Sequence, residues 1–368
     1  MPFNLSDLPT FQLPDSDTPK QLGYYFPAEF APHRATWLSW PHKEESWPGK
    51  IDKIYPNYSL FIKYLSQSEK VCINVNDEAM KNFAIDCLQK QNVNINNVEF
   101  FFHPTDDAWC RDHGPAFLIR KKNTSPSGDR GLIIVDWNYN AWGNKYPPFD
   151  HDDVIPTLIA NHFNIPVYHP GIIMEGGSVD FNGKSTLITS KSCLLNENRN
   201  KGYTQEKIEW FLYNYYGVDQ VLWIDDGIVG DDTDGHVDDT VRFFNEDSVI
   251  AAVEENKNDA NYNILQHNLK QLNEMRLING KQLNIVELPM PDEVIYQHQR
   301  LPASYANFYI SNKYVIVPTF RCNKDDKALQ IISDCFPTRE IVGIDSTDII
   351  WGLGSFHCLS QQEPAVIN

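Results

Sequence analysis

Hydrophobic residues recur along the chain with two spacings, one typical of helices and one typical of strands. A spacing of three or four residues predicts helices within 51–69, 204–217, 259–275 and 324–336. Thr204 is a suitable N-cap for the second of these helices, and Gly217 ends it. Short runs rich in β-branched residues predict strands at 71–75, 131–137, 185–189, 221–224, 248–253 and 313–317. The pattern therefore predicts a fold of the α/β class.

The organisation of the 368 residues predicts a single domain. No linker rich in Pro, Gly or Ser and no break in composition divides residues 1–368. Residues 1–22 are polar and rich in proline, which predicts an extended N-terminal arm. Residues 123–130 have the composition of a flexible loop. The periodicity of the sequence reveals no fivefold repeat.

Charge and cysteine content narrow the class of protein. The formal net charge of −18 disfavours nucleic acid or an anionic membrane as partner and would attract a cationic ligand, although acidity also serves solubility. No segment has the ~18 consecutive apolar residues of a membrane helix. The N-terminus lacks the basic start and apolar run of a secretory signal. Seven cysteines without paired spacing argue against a disulfide framework and favour a cytoplasmic protein.

The segment 352–364 carries the first candidate for catalysis. It reads Gly-Leu-Gly-Ser-Phe-His-Cys-Leu-Ser-Gln-Gln-Glu-Pro, and its glycines would allow the backbone to approach a substrate closely. The thiol of Cys358 becomes a strong nucleophile if a cation or a base lies nearby, whereas a buried, inert thiol is the alternative. Because chain ends commonly fray, this composition predicts that the segment is held in place.

The acidic segment 231–239 reads Asp-Asp-Thr-Asp-Gly-His-Val-Asp-Asp. In extended chain His236 and Asp238 point to the same side, so an imidazole that transfers protons and a carboxylate would face one site. A calcium-binding loop is a rival explanation, but it would need carboxylates at the positions of Gly230 and Val241. A different metal site with oxygen ligands, or a solvated turn, stays open.

The segment 106–115 offers an aromatic wall and another carboxylate. Trp109 has a flat face, and Asp112 follows three residues later. A helical turn would place these two side chains on one side, whereas extended chain would separate them and pair Asp112 with Cys110. A thiol, an imidazole, carboxylates and an indole together suit a planar cation.

These segments resemble those of the guanidine-modifying (pentein) superfamily, and closely those of the agmatine deiminase family, which is similar to peptidyl-arginine deiminases. Three further blocks carry the resemblance, namely Gly23–Pro48, Met174–Ser178 and Ala303–Tyr309. The resemblance runs in order over nearly the whole chain, which is far more specific than one short motif. One departure is Leu353, where the family usually has a third glycine before the His-Cys pair.

The resemblance implies a five-bladed α/β propeller of ββαβ units with the active site in the central channel. It implies that Cys358 is the nucleophile and that His236 transfers protons in both half-reactions. The substrate contacts that it implies are Trp109, Asp112 and Asp238. Glu175 would either contact the substrate or orient the site. No metal and no organic cofactor is implied.

Other residues near these blocks receive structural roles. Adjacent side chains in a strand face opposite ways, so His357 is predicted to pack or to form hydrogen bonds rather than to act as the base. The same role is predicted for His113 and His33. For Tyr305 and Asn307 the resemblance favours support of the site, and ordinary strand residues are the alternative. The cysteines predicted to be structural are Cys72, Cys87, Cys193, Cys322 and Cys335.

The implied reaction is hydrolysis of agmatine to N-carbamoylputrescine and ammonia through an amidino-cysteine intermediate, as in polyamine biosynthesis. Because free cysteine is mostly protonated at pH 7, the site is expected to favour the thiolate, and the positive charges of the bound guanidinium and of protonated His236 could do so. The alternatives are a deiminase for free or peptidyl arginine, an amidinotransferase, and a non-catalytic acidic protein that binds metal. The expected partner is a small cationic guanidine, with neither nucleic acid nor membrane, and a homo-oligomer is compatible with the sequence.

Overall fold

The computed structural model describes residues 17–120 and 131–366, in which helices and strands alternate. The strands are β1 (His33–Ser39), β2 (Lys70–Asn74), β3 (Val98–Phe101), β4 (Ala116–Ile119), β5 (Leu132–Val135), β6 (Val167–Tyr168), β7 (Val179–Phe181), β8 (Thr186–Ser190), β9 (Gln220–Ile224), β10 (Val241–Asn245), β11 (Ser248–Val253), β12 (Asn284–Pro289), β13 (Ile295–Tyr296), β14 (Gln299–Arg300), β15 (Tyr309–Ile310), β16 (Tyr314–Thr319), β17 (Glu340–Asp345) and β18 (Ser360–Pro364). The helices are α1 (Ile51–Leu65), α2 (Glu78–Lys90), α3 (Cys110–His113), α4 (Ala141–Asn144), α5 (Asp150–Asp153), α6 (Ile155–Phe163), α7 (Lys191–Leu194), α8 (Glu197–Asn200), α9 (Gln205–Tyr215), α10 (Tyr262–Glu274) and α11 (Asp325–Cys335). The predicted α/β class is confirmed.

Local chemistry explains why the predicted elements form. The side chain of Thr204 accepts a hydrogen bond from the backbone N–H of Lys207 and so caps α9, as predicted. The apolar stripe of this helix buries Ile208 and Leu212 against the neighbouring strands. All six residues of β11 are buried, which agrees with its continuous apolar run. The other predicted helices correspond to α1, α10 and α11.

Within the described residues the strands form five sheets of three or four strands and a separate hairpin. The strand orders are β18-β1-β2-β3, β4-β5-β6, β7-β8-β9, β10-β11-β12 and β15-β16-β17, and β13 pairs with β14. In each of the five sheets one strand pairs antiparallel on one side and parallel on the other. At least one helix lies between the two parallel strands in the chain. The same unit therefore recurs five times in the structure, although the sequence shows no repeat.

The C-terminal segment is held in place by the first sheet, as its composition predicts. Strand β18 pairs antiparallel with β1, and all five of its residues are buried. Just before this strand, Phe356 packs in the core with its ring centroid 4.9 Å from that of Phe61. Cys358 lies between these two anchors, so its backbone is fixed on both sides.

Two predictions concern residues at the ends and in a loop. Of the predicted arm, residues 1–16 lie outside the described residues, and within the rest the N–H of Leu22 donates to the carbonyl of Thr18 in a turn. The predicted loop at 123–130 also lies outside the described residues. Among the residues that are described, no helix combines the length and the apolar character needed to cross a membrane.

Candidate active site

Cys358 lies in a tight turn two residues before β18. The N–H of Leu359 donates to the carbonyl of Ser355 at 3.1 Å, which closes the turn. The carbonyl of Cys358 itself accepts the N–H of Arg111 at 3.0 Å, which joins the turn to α3. The Cys358 side chain is 7% exposed and borders a cleft of about 200 Å³. The predicted nucleophile is therefore nearly buried but open to a small ligand.

Trp109 and Asp112 lie on one side of a helical turn, which settles the alternative left open by the sequence. Trp109 immediately precedes α3, and the N–H of Asp112 donates to its carbonyl at 3.0 Å. The indole stacks on Trp47 at 5.2 Å between ring centroids and lines the cleft. A Cβ on Gly354 would lie 2.6 Å from the indole, so the glycine allows the Cys358 turn to pack directly on this ring.

Gly177 is the point at which three predicted site residues meet. A Cβ added to this glycine would lie 2.6 Å from Nδ1 of His236, 2.9 Å from Oδ1 of Asp112 and 3.1 Å from Oδ2 of Asp238. Its own N–H donates to Asp112 Oδ1 at 2.9 Å. The absence of a side chain at this position therefore brings an imidazole and two carboxylates together.

His236 and Asp238 reach the site through a turn and not through the extended chain that the sequence predicts. A single 3₁₀ turn spans Val237–Asp239, and the N–H of Thr240 donates to the carbonyl of Val237 at 2.9 Å. Val237 packs in an apolar cluster, while its two neighbours face the site. His236 and Asp238 therefore lie together as predicted, but the backbone after His236 forms a 3₁₀ turn instead of an extended strand.

The His236 ring is held between two carboxylates. Its Nε2 lies 3.1 Å from Oε2 of Glu175, and its Nδ1 lies 3.7 Å from Oδ1 of Asp112 without a hydrogen-bond partner among the described residues. Burial alone would lower the pKa of His236, but Asp112 and the hydrogen bonds with Cys193 and Glu175 outweigh it and raise this pKa well above its usual value. The carboxylates around the ring therefore favour its protonated form.

Glu175 is positioned by an arginine that the sequence did not single out. Nε and Nη2 of Arg199 donate to its two carboxylate oxygens at 2.6 and 3.1 Å. Burial opposes ionisation, but Arg199 and His236 hold the pKa of Glu175 below its usual value. Because its oxygens are occupied by Arg199 and His236, the structure favours the orienting role of the two roles left open for Glu175.

The two remaining carboxylates differ in their surroundings. Burial, together with Asp238 and Glu175, raises the pKa of Asp112 to about 6, although His236 opposes this shift. Asp112 Oδ2 accepts the indole N–H of Trp142 at 2.9 Å. For Asp238, burial opposes ionisation, but the hydrogen bond with His357 lowers the pKa below its usual value. Asp238 Oδ2 lies 3.6 Å from Cys358 Sγ.

The environment of the thiol without a ligand differs from the environment expected with a bound guanidinium. Burial and the carboxylates Asp238, Asp239 and Asp112 raise the pKa of Cys358 well above its usual value, against the opposing hydrogen bond from Asn307. The site without a ligand therefore favours the neutral thiol and not the thiolate. A bound cation would offset these carboxylates, so the substrate itself is the group that can favour ionisation.

Asn307 is the supporting residue nearest to the thiol. Its Nδ2 lies 3.0 Å from Cys358 Sγ and also donates to Asp239 Oδ1 at 3.0 Å. Tyr305, the other residue predicted to support the site, instead donates its hydroxyl to Asp325 at 2.6 Å. Both residues lie in the 303–309 block, but the sequence pattern alone did not separate their roles.

Buried side chains beside the site include Cys110, which an extended chain would have paired with Asp112. Its thiol is fully buried, and burial raises the pKa of this thiol to about 12. His113 is also buried, and burial lowers its pKa to about 3. His357 forms hydrogen bonds, as predicted, with Asp238 and with Glu29, a residue that the sequence did not single out.

The described residues include one group of side chains whose spacing could hold a metal ion, formed by Glu175, Cys193 and His236. Arg199 already neutralises Glu175, which disfavours a cation at that position. In the acidic run, Asp231 turns its carboxylate onto the N–H groups of Thr233, Gly235 and His236. These contacts explain the acidic run as an ordered turn.

The chain is similar to proteins of one family over almost its whole length. The family model of the Porphyromonas-type peptidyl-arginine deiminases matches residues 25–364. The chain belongs to this family. An agmatine deiminase of Ectopseudomonas mendocina is 32% identical over 371 residues, which cover 95% of this chain and 97% of that relative.

Two solved structures extend the similarity from sequence to fold. The agmatine deiminase of Enterococcus faecalis has a TM-score of 0.88 at 30% identity, covering 97% of this chain and 100% of that chain. The agmatine deiminase of C. jejuni with substrate bound has a TM-score of 0.83 at 30% identity, covering 94% and 97%. The predicted resemblance to the guanidine-modifying enzymes, and the mixed α/β fold that they share, are confirmed.

Proposed function

We propose that this chain hydrolyses agmatine to N-carbamoylputrescine and ammonia. The observation that carries the proposal is the convergence of His236, Asp112 and Asp238 beside the thiol of Cys358. A guanidinium has N–H donors around its central carbon, so two carboxylates can hold it while the ring of Trp109 supports its face. The agmatine deiminases similar to this chain support the choice of substrate.

The cleft also suits the second positive charge of agmatine. Three further carboxylates line the cleft, at Glu45, Asp107 and Asp232. Their negative potential would favour the ammonium group of agmatine and would repel the α-carboxylate of free arginine. Lys43 lies 3.6 Å from Asp107 and offsets part of this charge. The cleft therefore favours an amine over an amino acid.

In the first half-reaction, binding of the guanidinium offsets the carboxylates around Cys358, and the thiol loses its proton to solvent. The sulfur then attacks the central carbon of the guanidinium. His236, which is protonated, donates a proton to the departing nitrogen, so ammonia leaves and an amidino-cysteine remains. Asn307 stabilises the sulfur by donating a hydrogen bond at 3.0 Å.

In the second half-reaction, His236 is neutral and accepts a proton from water. The resulting hydroxide adds to the amidine carbon, and the C–S bond breaks with its electron pair leaving on sulfur. The remaining hydroxyl proton passes to the sulfur, so N-carbamoylputrescine is released and the thiol of Cys358 is restored. Nδ1 is the nitrogen assigned to both transfers, because Nε2 is engaged by Glu175. The substrate contacts in this scheme are Asp112, Asp238 and Trp109, and Glu175 orients the histidine.

The five sheets also bear on how the whole chain is arranged. We propose that the five sheets are the blades of one propeller and that residues 1–368 form a single catalytic domain. The fivefold recurrence of an antiparallel pair, a helix and a parallel strand supports this arrangement. A cytoplasmic location and a homo-oligomer stay predictions.

A substrate panel tests the proposed reaction. The purified chain, without added metal, is incubated with agmatine, free arginine and an arginine peptide, and both ammonia and the ureido product are measured. Agmatine alone is expected to yield ammonia and N-carbamoylputrescine in equal amounts. Turnover of only arginine or peptide would keep the thiol chemistry and overturn the substrate, and folded protein inactive on all three would refute the proposal.

A further inference from the structure

A buried chain of side chains leads from the N-terminal part of the fold to the thiol. Glu29 Oε2 lies 2.7 Å from Nε2 of His357, and Nδ1 of the same ring lies 2.6 Å from Asp238 Oδ2. This Asp238 oxygen lies 3.6 Å from Cys358 Sγ. Each of the four residues is at most 7% exposed. These side-chain contacts join residues separated by more than 300 positions in the sequence.

Both ring nitrogens of His357 face a carboxylate. Nε2 lies 2.7 Å from Glu29 Oε2, and Nδ1 lies 2.6 Å from Asp238 Oδ2, so the ring can donate a hydrogen bond to Asp238. Asp238 Oδ2 is thereby occupied, while its Oδ1 is buried without a hydrogen-bond partner among the described residues. That oxygen is free to accept an N–H group of the guanidinium.

Glu29 is fixed by groups from four other parts of the chain. Its Oε1 accepts the backbone N–H of Ile310 at 2.8 Å and lies 3.0 Å from Nη2 of Arg242. Its Oε2 accepts from Arg111 at 3.1 Å in addition to His357. Burial opposes ionisation, but Arg242, His357 and Arg111 hold the pKa of Glu29 well below its usual value. Glu29 is therefore a fixed carboxylate that can hold the His357 ring in place.

We infer that Glu29 and His357 are positioning residues that keep Asp238 an oriented carboxylate for the guanidinium. The inference rests on the proposed function, because it concerns the same site. Asp238 lies close to Asp239 and Asp112, which disfavour another negative charge. Without the hydrogen bond from His357, Asp238 would take up a proton or rotate, and one of the two acceptors for the cation would be lost. Neither positioning residue contacts the substrate.

Two substitutions of His357 test its contact with Asp238 separately from its contact with Glu29. His357→Asn places an amide nitrogen near the position of Nδ1 and keeps a donor to Asp238. His357→Gln places its amide near the position of Nε2, reaches Glu29 and loses the donor to Asp238. Glu69→Gln is the matched control, because Glu69 also holds a buried histidine, His33, at 3.2 Å, whereas its hydrogen bonds within the described residues do not involve Asp238.

The readout is a pair of thiol reagents of nearly equal shape, cationic 2-chloroacetamidine and neutral 2-chloroacetamide. The ratio of their rates of Cys358 alkylation measures how strongly the carboxylates favour a planar cation, whether or not agmatine is the substrate. His357→Gln is expected to lower this ratio about tenfold or more, and His357→Asn by less than about threefold. Glu69→Gln is expected to leave the ratio unchanged. The KM for agmatine should rise in parallel, with a smaller change in kcat.

Each alternative outcome overturns the inference. Three results would show that Glu29 and His357 have only a structural role. The ratio could stay unchanged in His357→Gln, it could fall equally in both His357 variants, or it could fall as much in Glu69→Gln as in His357→Gln. If His357→Gln is not recovered folded, His357→Leu replaces it, because leucine also removes the donor to Asp238; a fall of less than about threefold would then refute the inference. A wild-type protein that prefers the amidine but does not hydrolyse agmatine would overturn the proposed substrate and leave this inference standing.

Discussion

Replacing Gly177 by alanine would place a methyl group where the proposed catalytic side chains meet. The added carbon would lie 2.6 Å from His236 Nδ1, 2.9 Å from Asp112 Oδ1 and 3.1 Å from Asp238 Oδ2, whereas ordinary van der Waals contact begins at 3.4 Å. These atoms must therefore retreat by about 0.3 to 0.8 Å. A misplacement of about 1 Å costs roughly 10²-fold in rate. We expect kcat/KM for agmatine to fall by about 30- to 100-fold.

The assay compares initial rates of ammonia release with thermal unfolding of the same samples. Overpacking of this kind costs about 1–3 kcal/mol in the free energy of unfolding, so the variant should remain folded. Gly202→Ala is the control, because its φ of +78° strains an added side chain but no atom lies within 4 Å of the new carbon. Gly202→Ala should lose stability and keep its activity. Retention of more than a third of kcat/KM in Gly177→Ala would refute the reasoning.

Three further predictions concern the groups around the thiol. Asn307→Ala removes the donor to Sγ and should lower kcat about tenfold with little change in KM, measured by steady-state kinetics; an unchanged kcat would contradict this role. Glu175→Gln removes a contact that raises the pKa of His236, so the alkaline limb of the kcat profile should move to lower pH; an unmoved limb would contradict it. Because burial raises the pKa of Asp112 to about 6 and its ionised form is the one that offsets the charge of the guanidinium, kcat/KM should fall as the pH drops below about 6; a flat profile down to pH 5 would be inconsistent with that contact.

Local patterns in the sequence were sufficient to predict the elements and most of the residues that meet at the site. The Thr204 cap and the apolar stripe of α9 depend on residues within one helix, so they are visible in the sequence. The spacing of Trp109 and Asp112 allowed both a helical turn and an extended chain, and only the fold selects the turn. The extended conformation predicted around His236 was wrong because a 3₁₀ turn brings Asp238 back to the same side.

Features that depend on distant contacts could not be predicted in this way. Arg199 becomes part of the site only because it contacts Glu175, and Glu29 only because it contacts His357, 328 positions later. The protonation of Cys358 follows from burial and from carboxylates contributed by other segments. No spacing rule within a single segment encodes such contacts.

The most direct test of Cys358 as the nucleophile of an agmatine-binding site is its stoichiometric labelling by 2-chloroacetamidine, followed by peptide mapping. One label per chain is expected on Cys358, in step with the loss of agmatine hydrolysis, and agmatine should protect the thiol. Cys110, which is buried beside Trp109, should stay unlabelled. Labelling of Cys110 in its place, or full labelling of Cys358 with undiminished agmatine hydrolysis, would contradict the proposed site.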